Sequence, residues 1–286
     1  MTISVEIPLS IQSLLPRFER PSETELLLVE KLNGGRAALP MLPSVASNAL
    51  ELANDPDAHA RSFAELIETD PPMAARFLSV ANSALYARGR RVASVGEAVT
   101  RVGMLASRDL IFQIVYAAGN HGLPRFQSEV QSCFQRSVLA GLLCRAACNV
   151  LRLPFREAYL CGLLHDIGEA RVYRILCEVA PGVDPAEAAS LVLRYHPRAG
   201  AELAEKWQLP SEIVEACRKH HLDRAPVSDS LLLVRAADLA VPCVEALQNN
   251  KNYDLPSAAL EVLALEAEAF VRIVQEGRDL ADRAGQ

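Results

Sequence analysis

From residue 128 onward the chain runs through five stretches in which apolar residues recur at helical spacing: 128 to 150, 155 to 178, 185 to 206, 211 to 220 and 228 to 248. Sustained alternation of apolar and polar residues occurs nowhere along its 286 residues, so no segment has the pattern of a half-buried strand. Hydrophobic residues make up 50% of the chain but aromatics only 5%, which leaves small and branched aliphatic side chains to fill the core. Such side chains suit helices packed on helices. The fold class read from the sequence is all-α.

The first half carries the punctuation of shorter helices. Ser22 followed by Glu25 has capping-box spacing ahead of Leu26, Leu27, Leu28, Val29 and Leu32, and Gly34-Gly35 ends that segment. A helix from about Ser44 to Ala53 follows ALPMLPSVA and closes at NDPD. Ser62 can cap FAELIET, and Asp70 ahead of Pro71 supplies an N-cap with proline at an early helical position, where its missing N–H is tolerated. Helices are also predicted over 95 to 102 and 107 to 118, and Pro256-Ser257 start a final helix toward the C-terminus. GNHGLPR, residues 119 to 125, interrupts the helical spacing and sets a seam near 119 to 127.

A net charge of -6 provides no global field for nucleic acid or an anionic membrane. The densest basic spot is Arg88, Arg90 and Arg91 around Gly89, which reads as a solvated loop because non-specific nucleic-acid binding takes several phosphate contacts. Seven cysteines form no CxxC pair and lie among Ala and Leu, as buried thiols do in a reducing compartment. With no basic leader and no run of about 18 apolar residues, a cytoplasmic protein is expected. There is no GxSxG elbow, P-loop or GxGxxG segment. Cys161, one helical turn before His165, reads as packing rather than as a nucleophile.

One set of residues carries a different message. LLHDIGEARVYRIL places His165 beside Asp166, and downstream come His196, the pair His220-His221, and Asp238 in VRAADLA. Neutral imidazoles with carboxylates suit divalent iron, manganese or zinc. Adjacent ligands in one helix point about 100° apart, so partners from other helices must close the shell. Taken singly, each has a plainer role; His220-His221 after Lys219, for example, also suits a helix C-terminus.

In order and spacing these residues resemble the HD superfamily of metal-dependent phosphohydrolases, all-helical proteins marked by the His-Asp doublet. The chain resembles more closely the HDOD family, relatives used in bacterial signalling for which catalysis is unproven. The resemblance covers roughly residues 36 to 245. It rests on LPMLPSVASNALEL, on ETDPPMAARFLSVANSALY with the DP-then-NS signature at Asp70, Pro71, Asn82 and Ser83, on VASVGEAVTRVGMLASRDLI, and on AYLCGLLHDIGEARV and HPRAGAELAEKWQLPSEIVEACRKHH.

That resemblance implies a bundle of two packed halves, 36 to 122 and 123 to 245, the second HD-like. An extension over 1 to 35 with one short helix precedes it, and a C-terminal helix over 246 to 286 follows. It implies a cytoplasmic signal-transduction or response-regulator output module that acts through a signalling protein partner, without nucleic acid, membrane or catalytic turnover. His165, Asp166, His196, His220, His221 and Asp238 are the metal-ligand candidates. The alternative is an active phosphohydrolase acting on a nucleotide or phosphoester.

Three departures from active relatives favour the first reading. FQRSVLAG places Arg136, followed by Ser137, 29 residues before His165, where catalytic relatives carry a first histidine. HDIGE puts Glu169 where cyclic-dinucleotide phosphodiesterases of the HD-GYP type carry lysine, and HHLDRAP lacks their following glutamate and GYP loop. An inward guanidinium would oppose a cation, since two unit charges about 4 Å apart at an effective dielectric near 20 interact by roughly 4 kcal/mol. An inward Arg136 would instead pair with Asp166, Asp238 or Glu169 in the ion's place, and truncating it would then cost roughly 3 to 5 kcal/mol, whereas a surface Arg136 would leave stability unchanged. Asn82 and Ser83 are expected to bond local backbone at a helix end, and Trp207 to close a helix against the following Leu-Pro turn.

Overall fold

The caps read from the sequence start two of the first helices. Ser22 Oγ accepts from the Glu25 N–H at 3.0 Å and opens α1 (Glu23–Asn33). Asp70 Oδ1 accepts from the Met73 N–H at 3.1 Å and opens a later helix, Pro71–Ala81, with proline in its first turn. The computed structural model describes residues 21–34, 42–87, 89–119, 125–222, 226 and 228–284, and every regular element among them is a helix. None of these helices is long and apolar enough to cross a membrane.

The first half is built from α2 (Ser44–Asn54), α3 (Ala60–Glu68), α4 (Pro71–Ala81), α5 (Val95–Val102) and α6 (Met104–Gly119), around Phe63, Ile67, Phe77 and Ile111. The start of α3 differs from expectation. The Ser62 N–H already donates to the His59 carbonyl at 2.9 Å, so the helix begins at Ala60 and Ser62 lies inside its first turn. Asn82 does what was expected of it. Its Nδ2 donates to the carbonyls of Leu78 and Val92, both at 3.0 Å, and its Oδ1 accepts from the Val92 N–H at 2.9 Å, pinning the loop that leads into α5. Ser83 does not follow it: among the described residues, its buried Oγ has no hydrogen-bond partner. Arg90 lies 3.6 Å from Glu97, while Arg88 falls outside the described residues.

The second half is organised on α7 (Gln127–Leu151), against which α8 (Ala158–Leu164), α12 (Asp229–Gln248) and α14 (Ala267–Ala284) pack. Beside them α9 (Ile167–Val179) lies on α10 (Pro185–Lys206), and α11 (Ser211–Lys219) bridges α10, α8 and α12. One finding corrects the C-terminal segment. The C-terminal segment is two helices, α13 (Ser257–Leu263) and α14, because Ala264 turns left-handed at φ 51°. That turn lets Leu263 and Leu265 both be buried and lays Phe270, Ile273 and Val274 on α7 and α12. The N-terminal α1 packs on α9 of the second half, held by Ser22 to Glu187 (2.6 Å), by Glu25 to Arg194 and Tyr195, and by Lys31 to Glu178 (3.1 Å).

A buried ionic cluster joins the halves. Arg108 on α6 is 0% exposed; its Nε and Nη2 donate to Asp109 Oδ1 at 3.0 and 2.6 Å, and its Nη1 donates to Glu157 Oε2, at the start of α8, at 2.6 Å. Burial pushes the Asp109 carboxyl up to about 6, even with Arg108 and Arg145 pulling it down. Nearby, Tyr159 Oη donates to Gln113 Oε1 at 2.8 Å across the same seam.

Candidate metal centre

Sequence spacing predicts one helix over 155 to 178. The chain instead breaks at His165-Asp166, between α8 and α9. Two glycines explain the break. A Cβ on Gly162 would lie 2.5 Å from the Ala140 carbonyl of α7, and one on Gly168 would lie 2.0 Å from the His196 carbonyl and 2.6 Å from the Gly200 nitrogen of α10. So α8 is pressed onto α7 and α9 onto α10, and the doublet sits at the junction between the two helices. Gly168→Ala is therefore expected to cost at least about 1–3 kcal/mol, because the obstructing atoms are backbone and cannot rotate away. It should also move Asp166 away from His196; urea melts together with the imidazole NMR shifts would check both effects.

Three imidazoles are fixed from behind. The Nδ1 of His165 donates to the Gly162 carbonyl (2.8 Å), that of His196 to Val192 (2.9 Å), and that of His220 to Ala216 (2.8 Å). A carbonyl only accepts, so each Nδ1 bears a proton and each Nε2 lone pair faces inward. All six candidate residues meet there. Asp166 Oδ1 lies 3.2 Å from His196 Nε2 and 3.1 Å from His220 Nε2, while its Oδ2 lies 3.1 Å from His165 Nε2. Asp238 Oδ1 lies 2.9 Å from His165 Nε2. His196 Nε2 is 3.1 Å from both His220 Nε2 and His221 Nε2.

Facing lone pairs at such distances repel unless a proton or a cation lies between them. His165 Nε2 and Asp166 Oδ1 are buried without a well-directed hydrogen bond, which is costly for polar atoms. Donor chemistry and orphaned atoms together fit a divalent ion. The donors fall into two overlapping groups, Asp166-His196-His220-His221 and His165-His220-Asp238. With protons alone, burial opposes a charged His165, but Asp166 and Asp238 outweigh it and hold its pKa well above the ordinary value. His196 is raised in the same way, burial opposing and Asp166 prevailing. Burial would raise Asp166, yet His165, His196 and His220 hold it well below the carboxylate range. His221 is pushed down to about 4 by burial and by its neighbours His220 and His196.

Arg136 takes one of its three expected partners, but at the rim rather than inward. Its Nη2 donates to Glu169 Oε2 at 3.0 Å and its Nη1 to Ser132 Oγ at 3.0 Å, with the side chain 39% exposed. Of the three expected partners it takes Glu169, at the rim, so it does not stand in for an ion among the inner carboxylates. An ion pair this exposed contributes little. Arg136→Ala is thus expected to change stability by less than about 1 kcal/mol in urea melts, rather than the larger loss predicted for an inward guanidinium. The segment HHLDRAP lies partly outside the described residues.

Sequence reasoning missed Tyr116 and Cys133, which back the doublet: Tyr116 Oη contacts Cys133 Sγ at 3.5 Å, and that thiol reaches the Asp166 carbonyl at 3.8 Å. Cys161 is fully buried, and burial pushes its thiol well above the ordinary range, which leaves no thiolate for chemistry.

Comparison with known proteins places this geometry. The family profile described as HDOD domain matches residues 39–222. A curated uncharacterized protein of Treponema pallidum is 23% identical over 248 residues, covering 82% of this chain and 48% of its own length. The chain thus spans about half of that relative. Among solved structures, a protein of Shewanella amazonensis provisionally assigned as a metal-dependent phosphohydrolase superposes with a TM-score of 0.67 at 24% identity, covering 90% of this chain and 99% of that one. A protein of Marinobacter aquaeolei provisionally assigned to signal transduction superposes with a TM-score of 0.62 at 19% identity, covering 96% of this chain and 68% of that one. At these identities the two structures establish a shared fold.

Proposed function

The chain belongs to the HDOD domain family, and from that premise we propose that it is a signal-transduction module that acts by binding a protein partner and does not turn over a phosphoester. The observation that carries this reading is the Arg136–Glu169 pair at the rim of the donor cluster. An active HD-GYP-type relative presents a lysine cation to the substrate phosphate where this chain presents Glu169, and that acid pairs with the one residue standing in the place of the first histidine. The rim therefore offers a phosphate no free cation from this pair. Inside it, His165, Asp166, His196, His220, His221 and Asp238 would hold divalent iron, manganese or zinc, the ions that mixed nitrogen and oxygen donors suit. In this role the six residues, drawn from α8 to α12 and their ends, would be joined through a bound ion, which would hold the shape that a partner meets.

The second reading, a metal-dependent phosphohydrolase, is favoured by the completeness of the same inward donor set. A divalent ion held there would supply an acidified water and a clamp for phosphate oxygens. Assays of cyclic dinucleotides and simple phosphoesters, with manganese, iron or magnesium supplied, separate the two. The proposed role predicts no hydrolysis. Turnover of about one per second, lost in Asp166→Ala, would establish the enzyme instead.

A further inference from the structure

A cavity of about 450 Å³ opens on the seam between the two halves. Its size falls within the range of roughly 300–1,000 Å³ typical of small-molecule sites. Phe112 and Val115 of α6 form one wall, Ile167 and Ala170 of α9 face them, and Leu164 and Trp207 complete an apolar interior. Charge is confined to a few side chains, and it is unbalanced. Lys31 pairs with Glu178 at 3.1 Å and Arg171 with Glu202 at 3.1 Å, but Arg174 donates to the Gly119 carbonyl and has no carboxylate partner among the described residues.

We propose that this seam cavity binds a small amphiphilic anion, an apolar body with a single negatively charged head, with the body between α6 and α9 and the head at Arg174. The occupant is defined by complementarity: an apolar interior disfavours a second charge, and one uncompensated guanidinium matches one anion. Leu164 and Ile167 directly bracket His165-Asp166, so the ligand lies immediately behind the doublet and touches both halves at once. This is where an input to a regulatory module would act. Binding itself requires neither a metal in the donor cluster nor the absence of turnover.

Trp207 is the only tryptophan in the chain and lines the cavity, so its emission reports binding there without a label. The whole 286-residue chain would be titrated with decanoate below its aggregation concentration, with decanol and decyltrimethylammonium as uncharged and cationic counterparts. The expected result is a saturable change with decanoate, with affinity roughly tenfold or more above that for the cation. Val115→Phe and Ala170→Leu fill the cavity from opposite walls. Either one, shown by circular dichroism to be folded, should weaken decanoate by roughly tenfold or more. Arg174→Met, an exposed position, should retain decanol binding and lose the preference for decanoate. The proposal is overturned by the absence of any saturable change in wild type, by equal affinity for decanoate and the cation, or by unchanged affinity in a folded cavity-filling variant.

Discussion

Replacing Arg108 by methionine is expected to destabilise the protein by about 3 to 5 kcal/mol, the usual cost of removing one partner from a buried ionic cluster. The guanidinium is wholly buried and holds the carboxylates of Asp109 and Glu157, which come from different halves of the molecule. Methionine would preserve much of the volume and leave the two acids facing each other. The pH dependence follows from Asp109. Its folded pKa of about 6 lies above the ordinary aspartate value of 3.8, so its ionised form opposes folding as pH rises from about 4 through 6 and fully above that. The loss in Arg108→Met should therefore be larger at pH 8 than at pH 5, and adding Asp109→Asn should recover part of it. Urea melts of the single and double variants at both values would check this, and equal stability of wild type and Arg108→Met would refute it.

Adding manganese to the protein at roughly a thousandfold over its dissociation constant should raise stability by about 4 kcal/mol, because the ion binds only the folded arrangement of donors. For a domain of this size that corresponds to roughly 5 to 8 °C in melting temperature. Asp166→Ala and His196→Ala should each abolish the response. The sign of the pH effect is set by His165 and His196, whose pKa values are raised when protons alone share the cluster. Their contribution to the stability of the metal-stripped protein is complete below about 6.5, the ordinary histidine value, and is lost as pH rises through the raised folded values. Protons also compete with the ion for the same nitrogens. Stripped protein should thus lose stability on going from pH 6 to pH 8 in this respect, while the increment from manganese grows over the same interval. A manganese increment that shrinks as pH rises would count against ligation by these imidazoles.

Much of this was legible in the sequence, for physical reasons that differ from site to site. Helical periodicity and caps such as Asp70 report local energetics, so α4 begins where its residues say it should. The six donors were identifiable because the chain has only six histidines, and four of them fall with Asp166 and Asp238 in the order that resembles the HD pattern. The break between α8 and α9 was hidden because its cause is tertiary: Gly162 and Gly168 are ordinary residues until α7 and α10 come within contact of them. The orientation of Arg136 was hidden for the same reason, since a helical position does not say whether a long side chain turns inward or reaches along the surface to Glu169. The Arg108-Asp109 pair inside LASRDLIFQIV could have been noticed, because adjacent charges in an apolar helix must be buried with partners or sit at an interface.

The most direct measurement is elemental analysis of the purified wild-type protein and of Asp166→Ala, each exposed to iron, manganese and zinc and then freed of loosely bound ions. Asp166 is the residue whose two oxygens face His165, His196 and His220, so the whole donor set depends on it. Stoichiometric metal in wild type and little or none in a folded Asp166→Ala is the predicted result. Wild-type protein that retains no metal, or a variant that retains as much as wild type, would contradict the assignment of this cluster as a metal centre.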